Sequence, residues 1–281
     1  MFKPHATNAA QRTALLFLFV CLSLAGTRTT IYAQQSPAVT LATTSTATAR
    51  GLELYNQGNF KEAINALKQA SQQQRTDATA WHFLGLAYQQ TGDLKNAQKA
   101  LETALYLRFA QFAPNSFGVD GKQFADLNKD ERAVFLAEQV RRYRAALPTL
   151  EAYLQLNPPD AALWREQAES LKFYIEHTEA TDSEPYIATL TDGLTRAAIT
   201  FKREPEFSAE ARRYNITGEV TLRMVLAADG TVQHILVVKP LPYGLIEQCI
   251  EAARAMRFNP AIKDGRPVAQ YTSVTYHFYI Y

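Results

Sequence analysis

The sequence predicts an α + (α+β) protein, with helical hairpin repeats followed by a small three-stranded antiparallel sheet that has a helix packed on one face. Two observations predict this fold class. Between residues 49 and 110, small and apolar residues recur with a period of 34 residues. After residue 217, segments with a two-residue apolar period surround one segment with a helical period.

The C-terminal region starts with a predicted β-hairpin. Apolar residues occupy every second position from Val220 to Leu226, which is typical of a strand with one buried face. Asp229-Gly230 then supplies the positive φ that a tight turn needs, and residues 232–238 return as the second strand.

A helix and a last strand complete this unit. Residues 245–256 change to a helical period and place Cys249 on the apolar face, which predicts a buried, unreactive thiol. The last strand has Val274, Tyr276, Phe278 and Ile280 on one side and Ser273, Thr275, His277 and Tyr279 on the other.

An ordered set of short motifs covers the same region. They are Pro205-Glu-Phe-Ser with Ala211, Gly218-x-Val, Asp229-Gly-x-Val, Phe258-x-Pro-Ala and Gly265-x-Pro-Val. In this order and spacing they resemble the TonB C-terminal domain family (energy transducer TonB-like). The resemblance implies a domain that reaches outer-membrane receptors from the periplasmic side and pairs its last strand with a receptor peptide.

The last strand is the predicted partner site. An unpaired edge would let an extended peptide add to the sheet by β-augmentation. With the Pro205 motif and Glu204, which stands where TonB-like domains often carry a receptor-contacting Gln, the predicted partner-binding residues are Glu204, Pro205, Phe207, Tyr271, Ser273, Thr275, Tyr276, His277, Tyr279 and Tyr281. The alternative is that residues 187–201 or a second copy of the domain cover this edge, and a homodimer through the last strands stays open.

The internal period resembles the tetratricopeptide (TPR) repeat, a helical hairpin in each unit. The predicted packing residues are Gly51, Gly85, Trp81, Leu84, Tyr88, Ala97 and Ala104. A third, degenerate repeat is predicted across residues 130–175, with Trp164 in its core. Residues 109–129 are predicted to be an insertion that packs by its phenylalanines. A concave repeat surface usually receives a peptide or protein; the alternative is a spacer.

The first 33 residues have the features of an export signal. Lys3 and Arg12 precede an apolar core at residues 14–24, and a small residue, Ala33, marks a cleavage point. The core is shorter than the roughly 20 residues of a membrane span. We therefore predict a cleaved signal peptide, with a short inner-membrane anchor at residues 14–24 as the alternative.

The predicted domain boundaries follow from these features. They are a signal peptide or anchor at 1–33, a flexible linker at 34–48, a TPR-like domain at 49–177, a linker at 178–190 and a TonB-like domain at 191–281.

Composition excludes several function classes. Without its first 33 residues the chain has 26 basic and 27 acidic side chains, so no basic field supports nucleic-acid binding. His82, His177, His234 and His277 lack the spacing of metal ligands, and no catalytic motif is present. The sequence predicts no enzyme, no metal and no cofactor.

The combined prediction is a periplasmic protein that docks an outer-membrane receptor or envelope partner by strand addition. The resemblance links this docking to energy-dependent outer-membrane transport. The alternative is a periplasmic TPR scaffold that transmits no energy.

Overall fold

The computed structural model describes residues 45–112, 128–179 and 194–280, which belong to one compact unit, Thr44–Tyr281. The predicted signal segment, most of the first linker, Phe117, Phe124 and Tyr281 lie outside the described residues.

The described chain consists of a helical part and a mixed part, which confirms the predicted fold class. The helices are α1 (Thr46–Asn56), α2 (Phe60–Gln73), α3 (Ala78–Gln90), α4 (Leu94–Ala110), α5 (Lys129–Gln155), α6 (Ala161–Glu179), α7 (Ala209–Arg213) and α8 (Leu245–Arg254). The strands are β1 (Leu194–Thr195), β2 (Ala198–Phe201), β3 (Gly218–Leu226), β4 (Val232–Lys239), β5 (Arg257–Asn259), β6 (Ala261–Lys263), β7 (Arg266–Val268) and β8 (Gln270–Phe278).

In each of the first two helical hairpins, a glycine allows the two helices to approach closely. A Cβ built on Gly51 would lie 2.5 Å from Leu67 Cγ, and one on Gly85 would lie 2.6 Å from Leu101 Cγ. Both distances are shorter than van der Waals contact, so only a glycine lets each helix pack this closely on its partner. Of the other predicted packing residues, Leu84, Ala97 and Ala104 are buried, and Trp81 and Tyr88 are partly buried against the same core.

Helix α3 begins and ends at residues that are suited to helix termini. Asp77 accepts hydrogen bonds from the backbone of Thr79 and Ala80 at the start of α3, and from the buried Thr48 hydroxyl of α1 at 2.7 Å. Gly92 follows α3 with φ +81°, a conformation that ends a helix at little cost only for glycine. The 34-residue period therefore corresponds to one hairpin.

Helices α5 and α6 form the third hairpin. Ala146, Leu150 and Trp164 are fully buried in it, and Asp160 accepts hydrogen bonds from Trp164 Nε1 at 2.8 Å and Tyr153 Oη at 3.0 Å. Phe109 and Phe112, from the predicted insertion, are also buried. α5 has 27 residues and contains Pro148, so this hairpin is longer than the two before it.

The C-terminal part contains the predicted three-stranded antiparallel sheet in the order β4-β3-β8. Its β3–β4 hairpin turns at Asp229-Gly230, where Gly230 has φ +84°. Val220, Leu222 and Met224 are fully buried on the face that α8 covers.

Two smaller sheets were not predicted. β2 pairs with β5, and β1, β6 and β7 form a second small sheet. The β6–β7 hairpin turns at Asp264-Gly265, where φ is +52° and +76°. The same Asp-Gly signal that predicts the first hairpin is present here, but the strands on either side have only three residues each and show no period.

The alternation in β3 predicts one buried face, and the structure covers the second face as well at the end of the strand that holds Val225. Val225 is 1% exposed although it lies on the second face. The reason is that α5 and α6 cover this face, and their buried residues belong to one hydrophobic core with β3, β4, β8 and α8. The third hairpin therefore packs directly on the C-terminal sheet.

Across residues 45–112, 128–179 and 194–280, no helix combines the length and the hydropathy that crossing a bilayer requires.

Gly85→Ala should destabilise the repeats by about 1–3 kcal/mol, because the added methyl group overpacks against Leu101. Urea unfolding measures this change. In a Leu101→Ala background the same substitution should cost much less, since the space is then free. Equal costs in the two backgrounds would show that close packing is not the cause.

Acidification should destabilise the repeats through His82. Its Nδ1 is buried without a hydrogen-bond partner in the described structure, and burial, with a contribution from Arg108, lowers the His82 pKa to about 4. The unfolded chain binds this proton below about pH 6.5, so stability should fall by up to about 3 kcal/mol between pH 6.5 and 4. The lowered pKa of His234 acts in the same direction.

Urea unfolding of the wild type and of His82→Phe at both pH values tests this cause. The variant should lose clearly less stability than the wild type on acidification. An unchanged pH dependence would assign the acid sensitivity to other groups.

Candidate functional site

The free edge of the central sheet is strand β8. Within the described residues β3 is its one backbone partner, from Gly218↔Phe278 to Leu226↔Gln270. The carbonyl oxygen of Thr275 accepts a hydrogen bond from Lys202 Nζ at 3.1 Å, so this carbonyl points away from β3. Because backbone groups alternate along a strand, those of Ser273 and His277 point the same way. Three residues therefore present their N–H and C=O groups at the edge.

The segment before the Pro205 motif contacts this edge through side chains. Its strand β2 pairs with β5 and forms no backbone ladder with β8. Ala197 N donates to the side chain of Gln270 at 2.7 Å. In the described residues 194–201, the alternative that the segment covers the edge as a strand is therefore not realised; residues 187–193 lie outside the described structure.

The predicted partner-binding residues separate into exposed and packed groups. Ser273, His277, Tyr279 and Glu204 are exposed, and Thr275 and Pro205 are partly exposed. Phe207 packs edge-on against Phe278 with ring centroids 5.4 Å apart. Tyr271 is partly buried on the face covered by α5 and α6. The exposed members lie on and next to the β8 edge.

Tyr276 is part of the core, which removes its ring from the predicted surface contacts. It is fully buried, and desolvation raises its pKa to about 12, with a smaller contribution from Cys249. Lys202 Nζ lies 4.5 Å from the ring centroid. The ammonium group that contacts the Thr275 carbonyl is thus also held by this aromatic ring.

The C-terminal end of β8 is polar and aromatic. The rings of His277 and Tyr279 stack with centroids 5.9 Å apart and an interplanar angle of 5°. Glu219 of β3 lies 3.5 Å from His277 Nδ1 and accepts a hydrogen bond from Lys239 at 2.5 Å, which holds the pKa of Glu219 below its usual value.

The opposite edge of the same sheet is closed by helix α6. Gln167 donates from Nε2 to the carbonyl of Ile235 at 3.2 Å and accepts from the N–H of Val237 at 2.8 Å. The Ser170 hydroxyl donates to the same Ile235 carbonyl at 3.1 Å. All these atoms are buried, so the side chains of α6 replace a neighbouring strand along β4.

The sequence predicts no metal site and a buried thiol at Cys249. Over residues 45–112, 128–179 and 194–280 no three His, Cys, Asp or Glu side chains are close enough to hold a metal ion. Cys249 is fully buried, as predicted, and burial raises the pKa of its thiol to about 12.

The sequence analysis did not identify the residues that join the helical part to the C-terminal sheet. Gln167 and Ser170 are three positions apart on the buried side of α6, and Arg223 is a cation between the apolar residues Leu222 and Met224 of β3. Buried polar residues at helical spacing in α6 were a usable signal, because such residues need partners. Their partners could not be named from the sequence, since they are backbone groups about 70 residues away.

The comparisons with known proteins agree with this division of the chain. Residues 203–280 match the family model described as Gram-negative bacterial TonB protein C-terminal. Residues 51–92 match a TPR repeat model and residues 78–111 a tetratricopeptide repeat model. Residues 51–111 are therefore similar to TPR repeats and residues 203–280 to the TonB C-terminal domain, which confirms both predicted resemblances.

A solved structure, the solution NMR structure of the Pseudomonas aeruginosa TonB CTD, is 21% identical. The match covers 32% of this chain and 90% of that one with a TM-score of 0.27. No curated protein matches the chain.

Gln167→Leu should lower the free energy of unfolding by about 2–3 kcal/mol, because it leaves the N–H of Val237 buried without a partner and weakens the bonding of the Ile235 carbonyl. Gln72→Leu, at an exposed position of α2, is the matched control and should change stability by less than about 0.5 kcal/mol. Urea unfolding measures both. A Gln167→Leu variant as stable as the control would show that α6 does not need these bonds.

Proposed function

We propose that this protein acts in the cell envelope by binding an extended peptide of an outer-membrane receptor or envelope partner along strand β8. The single observation that carries the proposal is the asymmetry of the central sheet. One edge is closed by buried side chains of α6, whereas β8 has no second backbone partner in the described residues. The TonB C-terminal domain match supports an envelope location and a protein partner of this kind.

Strand addition would use the outward backbone groups of Ser273, Thr275 and His277. Each main-chain hydrogen bond contributes about 0.5–1.5 kcal/mol, and side chains on either face of the new strand supply selectivity. Lys202 occupies the Thr275 carbonyl in the free protein. A single exposed lysine near a sheet edge discourages uncontrolled pairing between copies, and an incoming peptide N–H would take its place.

The helical repeats would hold this edge of the sheet in a fixed position. The third hairpin and the C-terminal sheet belong to the same core, so a load on β8 is carried into α5 and α6. This rigid connection also favours the second candidate function, a scaffold that positions two partners without transmitting energy.

The two functions differ in their need for a membrane tether. Energy transduction requires residues 14–24 to remain in the inner membrane, whereas a scaffold works after cleavage near Gln34. Mass spectrometry of the protein from envelope fractions distinguishes them. An intact N-terminus in the inner-membrane fraction supports transduction, and a start near Gln34 in the soluble periplasmic fraction supports the scaffold.

Thr275→Pro should weaken peptide binding at least tenfold without abolishing folding. Proline removes one outward N–H donor and places its ring at the free edge, while the ladder to β3 stays intact. Thr275→Val is the matched control, because both variants lose the hydroxyl contact to Thr221 but valine keeps the N–H.

Binding can be measured by fluorescence anisotropy with labelled peptides from the periplasmic N-terminal segments of outer-membrane receptors of the same cell. Equal affinity of the proline and valine variants would contradict strand addition at β8. Absence of binding to every peptide by the wild type would contradict a receptor as the partner.

A further inference from the structure

Arg223 of β3 is a cation on the sheet face that α5 and α6 cover. Its Nη1 donates to Tyr143 Oη at 2.9 Å, and its guanidinium carbon lies 5.3 Å from the ring centroid of Tyr174 and 5.5 Å from that of Tyr271. Three tyrosines therefore surround a group that stays protonated at any physiological pH. Aromatic rings attract a cation but do not neutralise it.

No carboxylate pairs with Arg223 in the part of the chain that the structure describes. Its one hydrogen bond there goes to Tyr143, although a guanidinium has five N–H donors. Arg223 is only partly buried, and it lines a neighbouring space. A partly buried arginine with free donors and no counterion is rare in a structural role, because uncompensated charge is costly to bury.

The space next to Arg223 is a cavity of about 200 Å³ between α5 and the sheet. Its polar lining consists of Arg223, Gln139 and Ser273, and its apolar lining includes Phe112, Leu136 and Val238. Gln139 is 4% exposed, and its buried Oε1 has no hydrogen-bond partner among residues 45–112, 128–179 and 194–280. The amide of a glutamine can rotate by half a turn, so Gln139 can present either an acceptor or a donor.

Size and lining restrict the ligand. The volume far exceeds the roughly 15 Å³ that one water occupies, yet lies below the roughly 300–1,000 Å³ of pockets for drug-sized ligands. A cation with free donors favours an anionic group with two oxygen acceptors. The phenylalanine and aliphatic lining favours an apolar body over a small, strongly hydrated anion such as phosphate.

We propose that this cavity binds a small organic carboxylate with an apolar body. The carboxylate accepts hydrogen bonds from the Arg223 guanidinium, with Gln139 and Ser273 beside it, and the apolar body packs on Phe112 and Leu136. The site lies where the third hairpin meets the TonB-like sheet, apart from the backbone edge of β8. It does not depend on peptide binding.

Isothermal titration calorimetry of the full-length protein with phenylacetate tests the site. The neutral isostere phenylacetamide is the ligand control. We expect a Kd below about 1 mM for phenylacetate and at least tenfold weaker binding of phenylacetamide, because only the anion gains charge-assisted bonds. Backbone amide NMR signals of Ser273 and Gln139 should shift on titration with phenylacetate.

Arg223→Met should weaken phenylacetate binding at least tenfold. Arg213→Met, at an exposed arginine of α7, changes the net charge equally and should leave binding unchanged. Should Arg223→Met fail to fold, Gln139→Leu provides the second variant; it removes a buried acceptor without a partner, so it should fold, and it should weaken binding severalfold.

Three results would overturn the proposal. They are equal affinities for phenylacetate and phenylacetamide, no binding of phenylacetate below about 10 mM, and wild-type affinity in Arg223→Met or, if that variant does not fold, in Gln139→Leu.

Discussion

The joint between α6 and β4 is the interaction on which the rest of the structure depends. Gln167 bonds both a donor and an acceptor of the β4 backbone, and Ser170 adds a second bond to the Ile235 carbonyl. Backbone groups at a buried sheet edge must find partners, because an unsatisfied group costs about 1–3 kcal/mol. Side chains of α6 thus take the place of a neighbouring strand along β4. The same hydrogen bonds attach the third hairpin to the sheet.

This joint determines which surfaces remain for binding. With β4 closed, β8 is the edge of the central sheet that pairs with no second strand in the described residues. The same packing places α5 over the second face of the sheet, where it encloses Arg223 and the cavity beside it. The candidate peptide edge and the candidate carboxylate site are therefore two consequences of one interface, and each can be tested without the other.

Local patterns were sufficient for the elements with strong periods. Alternation in β3 and β8, the Asp229-Gly230 turn and the 34-residue period each depend on residues close in sequence, so the elements followed from the chain alone. The short strands β5, β6 and β7 were missed because three residues are too few to show a period. Tyr276 is among the predicted partner contacts although it shares the side of β8 that holds Val274 and Phe278, and the structure buries it in the core.

The sequence by itself determined the types and order of the longer elements, the two families that they resemble and the strand that ends the central sheet. These properties follow from backbone preferences and from the spacing of apolar side chains. Only the tertiary structure decided that α6 closes β4, that Val225 on the second face of the sheet is buried, and that Arg223 lies next to a cavity. Such contacts join residues about 70 positions apart or more, and no local pattern specifies which distant backbone group a buried glutamine will bond.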